Sequence, residues 1–281
     1  MEKKSAKHIR SALMINIIFT IVEILGAIFT NSIALLTESI RNIGDVLSIA
    51  VAYFLERRSQ KRPKKEYTYG YARYSILGSI FSTFFLIISS IVVIITIIPR
   101  FIEPENINHE GMFFFAILGL ILNGIGTFKT FRGKGINEQA VSLHLFEDLL
   151  SWLGVLFISI VMPIWNVPIL DPLLSLIITV FIFRKGLEHL EEAFNIFLEK
   201  VPKNISIDDL KEKIKMVNHV IDIVELHVWT LDGIKDCATL KVFIDNTISL
   251  SKMMDVKEKI RCVVKEFHIE DITIELMFKE K

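Results

Sequence analysis

The chain has 281 residues, 52% of them hydrophobic and 23% charged, with 32 basic side chains against 32 acidic ones. The balanced charge gives no bulk attraction to nucleic acid. A chain this apolar, with its charges gathered at the ends and in two connecting loops, is not an ordinary soluble domain.

Crossing about 30 Å of hydrocarbon takes roughly 20 apolar residues in a helix. Six segments qualify in chain order: Ile9 to Phe29, Ile33 to Leu55, Ile76 to Ile98, Met112 to Phe131, Val141 to Ile164 and Pro172 to Leu187. The N-terminal MEKKSAKHIR runs into the first without a small-residue cleavage site and reads as the start of a span, not a removed signal. The turn Thr30-Asn31-Ser32 joins the first two spans as a hairpin. Basic residues fall on one side: Lys3, Lys4, Lys7 and Arg10, the RRSQKRPKKEYTYGYAR loop, FKTFRGKG, and Arg184 with Lys185. This asymmetry places both termini in the cytoplasm. It also explains the RRSQKRPKK run as a membrane-boundary feature, in contact with anionic lipid and not with nucleic acid.

Beyond Leu187 the sixth helix is expected to continue through EHLEEAFNIFLEK until Pro202 stops it. The division is thus 1–199 for the helical membrane domain and 200–281 for a cytoplasmic domain. In the latter, SIDDLKEKIKMV reads as a helix capped by Ser206. HVIDIVELHVWTL and DCATLKVFIDN read as strands about an Asp232-Gly233 turn. LSKMMDVKEKIRCVVKEF reads as an amphipathic helix and ITIELMF as a last strand. The fold class is a six-helix membrane protein followed by a small α+β domain. Cys237 and Cys262 lie in that domain, outside any CxxC pair, and read as free thiols.

Two polar clusters interrupt the spans. Glu38, Arg41 and Asp45 lie in LLTESIRNIGDVLSIAVAYF; His144, Glu147 and Asp148 lie in AVSLHLFEDLLSWLGVLFI. Each ionisable group near the bilayer centre costs about 3 kcal/mol on the insertion scale, so such groups face the bundle interior and mark a pathway. His144 and Asp148 are one helical turn apart on one face. With Asp45 at similar depth, two carboxylates and an imidazole point to a divalent-metal site. There is no nucleophile paired with a base and no phosphate loop, so the chain is not expected to be an enzyme.

Several strings, in order and spacing, resemble the cation diffusion facilitators, in particular their zinc, cobalt and cadmium resistance branch. They are VEILGAIFTNSIALLTES, YTYGYARYSILGS, NEQAVSLHLFEDLL, LDPLLSLIITVFIF, LEKVPKNI and VIDIVELHVWTLDG. The resemblance implies efflux of a divalent metal from the cytoplasm in exchange for protons, across a bacterial cytoplasmic membrane. It implies a homodimer joined partly through cytoplasmic domains of ferredoxin-like fold, and no cofactor beyond the transported metal. Zinc is the expected cargo; manganese, iron and cobalt suit the same donors.

Carried over position by position, the family's transport site falls on Asp45, His144 and Asp148. Its usual fourth ligand falls on Arg41, which stays protonated and cannot ligate a cation. At 4 Å from a dication and an effective dielectric near 20, its repulsion would be about 8 kcal/mol. Glu38 one turn before it, or Glu147 from the facing helix, could draw off or balance that charge. Three ligands plus water would then complete a tetrahedron. The alternative is that Arg41 locks Asp45, giving a degenerate relative that does not transport and acts as a regulatory or assembly partner. In the cytoplasmic domain, His227 is a weak metal candidate. Val224, Lys241 and Asp271 stand where the resemblance implies further ligands, so a strand histidine without metal is favoured there.

Overall fold

The structure, a computed structural model, describes the backbone of residues 2–30, 33–102, 109–131, 135–165 and 169–278. Side chains within 26–41, and at Asp171 among others, lie outside the described residues. The chain divides into two compact units, Met1–Ala193 and Phe194–Lys281.

Six long helices make up the first unit, the last of them running four residues past Ala193: α1 (Glu2–Thr30), α2 (Ile33–Ser59), α3 (Arg73–Arg100), α4 (His109–Thr130), α5 (Ile136–Trp165) and α6 (Leu170–Phe197). Ser5–Leu25, Arg73–Arg100 and Ile136–Val161 are each long and apolar enough to cross a membrane, and Ala116–Phe128 is a shorter apolar run. Helix α1 packs along α2, α2 along α3, and α4 along α5.

The packing inverts that of a water-soluble bundle. Large apolar side chains such as Phe54, Phe84, Ile95 and Phe128 point outward, while Asn16, Glu23, Asp45, Asn123 and His144 are buried. Lipid stabilises the first set, and the second must find partners inside. Glu23 of α1 accepts a hydrogen bond from Asn42 of α2. Between α1, α2 and α5, the buried Ile9, Ala12, Ile49, Ala52, Val141 and Leu145 form an apolar plug. Deeper, Phe19 meets Trp152 edge to face at 5.4 Å and 85° beside Ala116.

Helix α6 closes on α3, where Ser79 Oγ lies 3.0 Å from His189 Nε2. It stops at Phe197, five residues before Pro202. The stop is a left-handed turn at Glu199 (φ 62°), with Lys200 N donating to Asn195 O at 2.9 Å. A left-handed residue that turns the chain back onto the last carbonyls ends a helix without proline, so the expected end at Pro202 is corrected.

The second unit runs α7 (Ile207–Lys215), β1 (Val220–Thr230), β2 (Asp236–Ile244), α8 (Leu250–Glu266) and β3 (Ile269–Phe278). Ser206 caps α7 by accepting from Asp209 N at 3.3 Å. Strands β1 and β2 form an antiparallel hairpin, closed where Asp232 Oδ1 accepts from Ile234 N at 3.0 Å and Lys235 N at 2.9 Å. Gly233 at φ 84° supplies the left-handed residue of that turn. Strand β3 joins β2 in parallel, reached through α8, giving the order β1-β2-β3. One sheet face is sealed by Leu210, Ile214, Val256, Ile260 and Val264 of the helices over Val228, Leu240, Val242 and Ile274.

Candidate metal centre

Helices α2 and α5 carry the polar side chains that interrupt the spans, and their periodicity turns four of them inward. Asp45, His144, Glu147 and Asp148 are all buried. One donor atom each from Asp45, His144 and Asp148 lies within 4.8 Å of the others. Among the described residues this is the single cluster of three or more His, Cys, Asp or Glu side chains with that geometry.

His144 Nε2 stands 3.4 Å from Asp45 Oδ1. Two ligands on a tetrahedral ion at 2.0–2.1 Å are separated by about 3.3 Å. This pair is therefore already spaced as one edge of such a polyhedron. Asp45 Oδ2 is buried and has no hydrogen-bond partner among the described residues. A buried carboxylate oxygen left so is costly, and a cation between the three groups would satisfy it. Glu147 Oε2 lies 4.0 Å from His144 Nδ1, on the far side of the ring from Asp45. At that distance the contact is electrostatic and not a hydrogen bond, while Nε2 faces Asp45.

Arg41 stands one turn before Asp45 on α2, and Glu38 one turn before that. Both side chains lie outside the described residues. His227 of β1 pairs across the sheet with Thr239, and Thr239 with Thr273. Cys237 and Asp271 sit two rungs away beside Trp229, while Lys241 bonds Glu225 at 2.9 Å. Among the described residues, no cluster of three or more His, Cys, Asp or Glu side chains includes His227. The Lys241 ammonium holds the Glu225 carboxyl below its usual range by direct hydrogen bonding and charge.

Two buried polar residues that sequence reading did not single out, Glu56 and Asn137, lie toward the other end of the same two helices, beside Ser75 of α3. Glu56 of α2 accepts from Ser75 Oγ of α3 at 2.7 Å and from Asn137 Nδ2 of α5 at 3.2 Å. Glu56 ends a span beside Arg57 and Arg58, where it reads as a solvent-facing boundary charge. The available signal was its helical phase, on the face of Asp45.

Residues 9–198 match the cation efflux transmembrane domain, and residues 202–276 match the cation efflux protein cytoplasmic domain. The chain belongs to the cation efflux family. The cadmium, cobalt and zinc/H(+)-K(+) antiporter of Bacillus subtilis is 26% identical over 262 residues, covering 92% of this chain and 84% of that protein. Zinc transporter ZitB of Pectobacterium atrosepticum is 26% identical over 286 residues, 99% and 87% of the two chains. Metal cation efflux system protein CzcD of Cupriavidus metallidurans is 26% identical over 272 residues, 96% and 85%. This cation efflux protein is an integral membrane protein, as the family and its apolar helices require.

Proposed function

We propose that this protein exports a divalent transition-metal cation, zinc in the first place, in exchange for protons. The observation that carries the reading is the buried Asp45–His144–Asp148 cluster, with three donor atoms within 4.8 Å on two inward-facing helices. Metal binds once these groups have lost their protons, because ligands must be deprotonated. Protons from the opposite side compete the metal off, with His144, which titrates nearest neutrality as a residue type, as the exchangeable carrier. Names borne by relatives (zinc transport, cation efflux, proton antiport) support the same reading. No further cofactor is needed for this exchange. Both termini face the cytoplasm on the distribution of basic residues, and two copies associate through their C-terminal domains, which match the family's cytoplasmic domain.

A degenerate, non-transporting relative is the competing reading, and it rests on Arg41 and on the C-terminal domain's loss of ligands at Val224 and Lys241. Proton-gradient-driven flux of zinc, manganese, iron and cobalt into proteoliposomes separates the two. The expected result is wild-type flux that falls at least a hundredfold in Asp45→Ala. A silent wild type, with flux appearing only in Arg41→His, would sink the transport reading.

A further inference from the structure

The two ligand-bearing helices are pinned to each other away from the metal centre. Asn137, in the first turn of α5, donates from one amide nitrogen to Ala52 O of α2 at 2.9 Å and to Glu56 Oε2 at 3.2 Å. Ser75 of α3 donates to that same carboxylate oxygen at 2.7 Å, and Gln60 donates to the other oxygen at 3.3 Å. Glu56, Ser75 and Asn137 are all more than nine-tenths buried. Gly78 of α3 leans on the knot so closely that a Cβ there would lie 2.7–2.9 Å from the Asn137 amide. The approach requires glycine.

The placement of this knot along the helices is not arbitrary. Asp45, Ala52 and Glu56 are spaced by seven and eleven residues on α2; Asn137, His144 and Asp148 repeat that spacing on α5. Seven and eleven residues return a helix to within about 20° of its starting direction. Each helix therefore presents its metal donor and its knot residue along one line. The knot lies about 10–16 Å from the metal centre along the axes. Between them stand the plug residues Ile49, Val141 and Leu145, which offer shape but no directional bond.

We infer that Asn137 and Glu56 are positioning residues for the metal centre: by pinning α5 to α2 they set the separation of Asp45 from His144 and Asp148, and with it the size of cation accepted. This rests on the transport reading above. Metal sites tolerate about 0.5 Å of error in ligand placement, and apolar packing alone fixes a helix along its axis less sharply than hydrogen bonds do. Releasing the knot lets the Asp45-to-His144 edge widen, which penalises a small tetrahedral ion more than a larger one.

The test is equilibrium binding of zinc and of cadmium to the detergent-solubilised full chain, with flux and thermal melting measured on the same samples. The variants are Asn137→Ala, Glu56→Ala and Glu56→Gln. The two alanine variants are expected to weaken zinc about tenfold while leaving cadmium within about threefold, so that the zinc-to-cadmium preference falls. Glu56→Gln keeps a carbonyl for Ser75 and Asn137 and gives up only the bond accepted from Gln60; it is expected to restore the wild-type preference. An unchanged preference, with both ions weakened alike or melting lowered alone, would overturn the proposal and leave the knot a support of the fold. Wild-type protein that binds neither ion would overturn the transport reading and this proposal together.

Discussion

Glu147 shows how a side chain outside a ligand set can still decide its strength. At 4.0 Å from His144 Nδ1 it faces the ring edge away from Asp45. Glu147→Gln should weaken zinc binding through the lost charge, by less than the roughly ten- to hundredfold that removing a carboxylate hydrogen-bonded to a metal-binding histidine costs. Isothermal titration of the purified chain measures it, and an unaltered affinity would mean that the ring is held by its other neighbours. Asp45, His144 and Asp148 were legible in the sequence because ionisable groups inside apolar spans have few structural excuses. The contributions of Asn137 and Ser75 were not, since an asparagine or serine in a span reads as a generic hydrogen bonder until its partner is seen.

Between elements, close approach decides. Gly119 of α4 lies under Trp152 of α5, where a Cβ would come within 2.4 Å of the indole ring. Trp152 is also the partner of Phe19 on α1, so it cannot move aside without disturbing a second contact. Gly119→Ala is therefore expected to destabilise the bundle by about 1–3 kcal/mol, the cost of overpacking a filled core. A lowered melting temperature in detergent would show it; melting as in wild type would mean that α4 can step back. In the second unit, the helix-strand-strand-helix-strand order was readable from periodicity and from the Asp232-Gly233 turn. The parallel pairing of β3 with β2 was not, because register is set by which apolar face meets α7 and α8, a non-local fact. The end of α6 at Glu199 was missed for the opposite reason. Proline is a conspicuous stop, whereas a glutamate in the left-handed region carries no signal in its residue type.

At the scale of the molecule, the two units answer to pH and metal differently. Binding at the centre on α2 and α5 should weaken as pH falls, since protons and cation compete for the same atoms. In the second unit, burial pushes the Asp236 carboxyl above its usual value of 3.8, so the folded state holds that proton more tightly than the unfolded one. Its contribution to stability is full below 3.8 and is lost as pH rises through the raised value. Asp245 runs the other way: hydrogen bonds from Thr247 lower its carboxyl, so its contribution is present above 3.8 and lost as pH falls through the lowered value. Asp236→Asn should thus increase protection of the β2 amides at pH 7 and change nothing at pH 3. Hydrogen exchange on the intact chain reads both. The same experiment with and without a chelator should show no difference across β1 to β3, because no cluster of three or more metal-ligating side chains among the described residues includes His227. Protection lost on chelation would make His227 a metal ligand after all.

The equal spacing on α2 and α5 has an evolutionary corollary. Inserting or deleting one residue between Asp45 and Glu56, or between Asn137 and His144, rotates everything beyond it by about 100°. Such an indel would turn the metal donor and its anchor onto different faces without changing the chemistry of either. Substitutions of similar volume can be absorbed in these stretches without turning either polar residue. Their length cannot drift with them, so in each helix the distance between the two polar residues is under tighter selection than the residues that fill it.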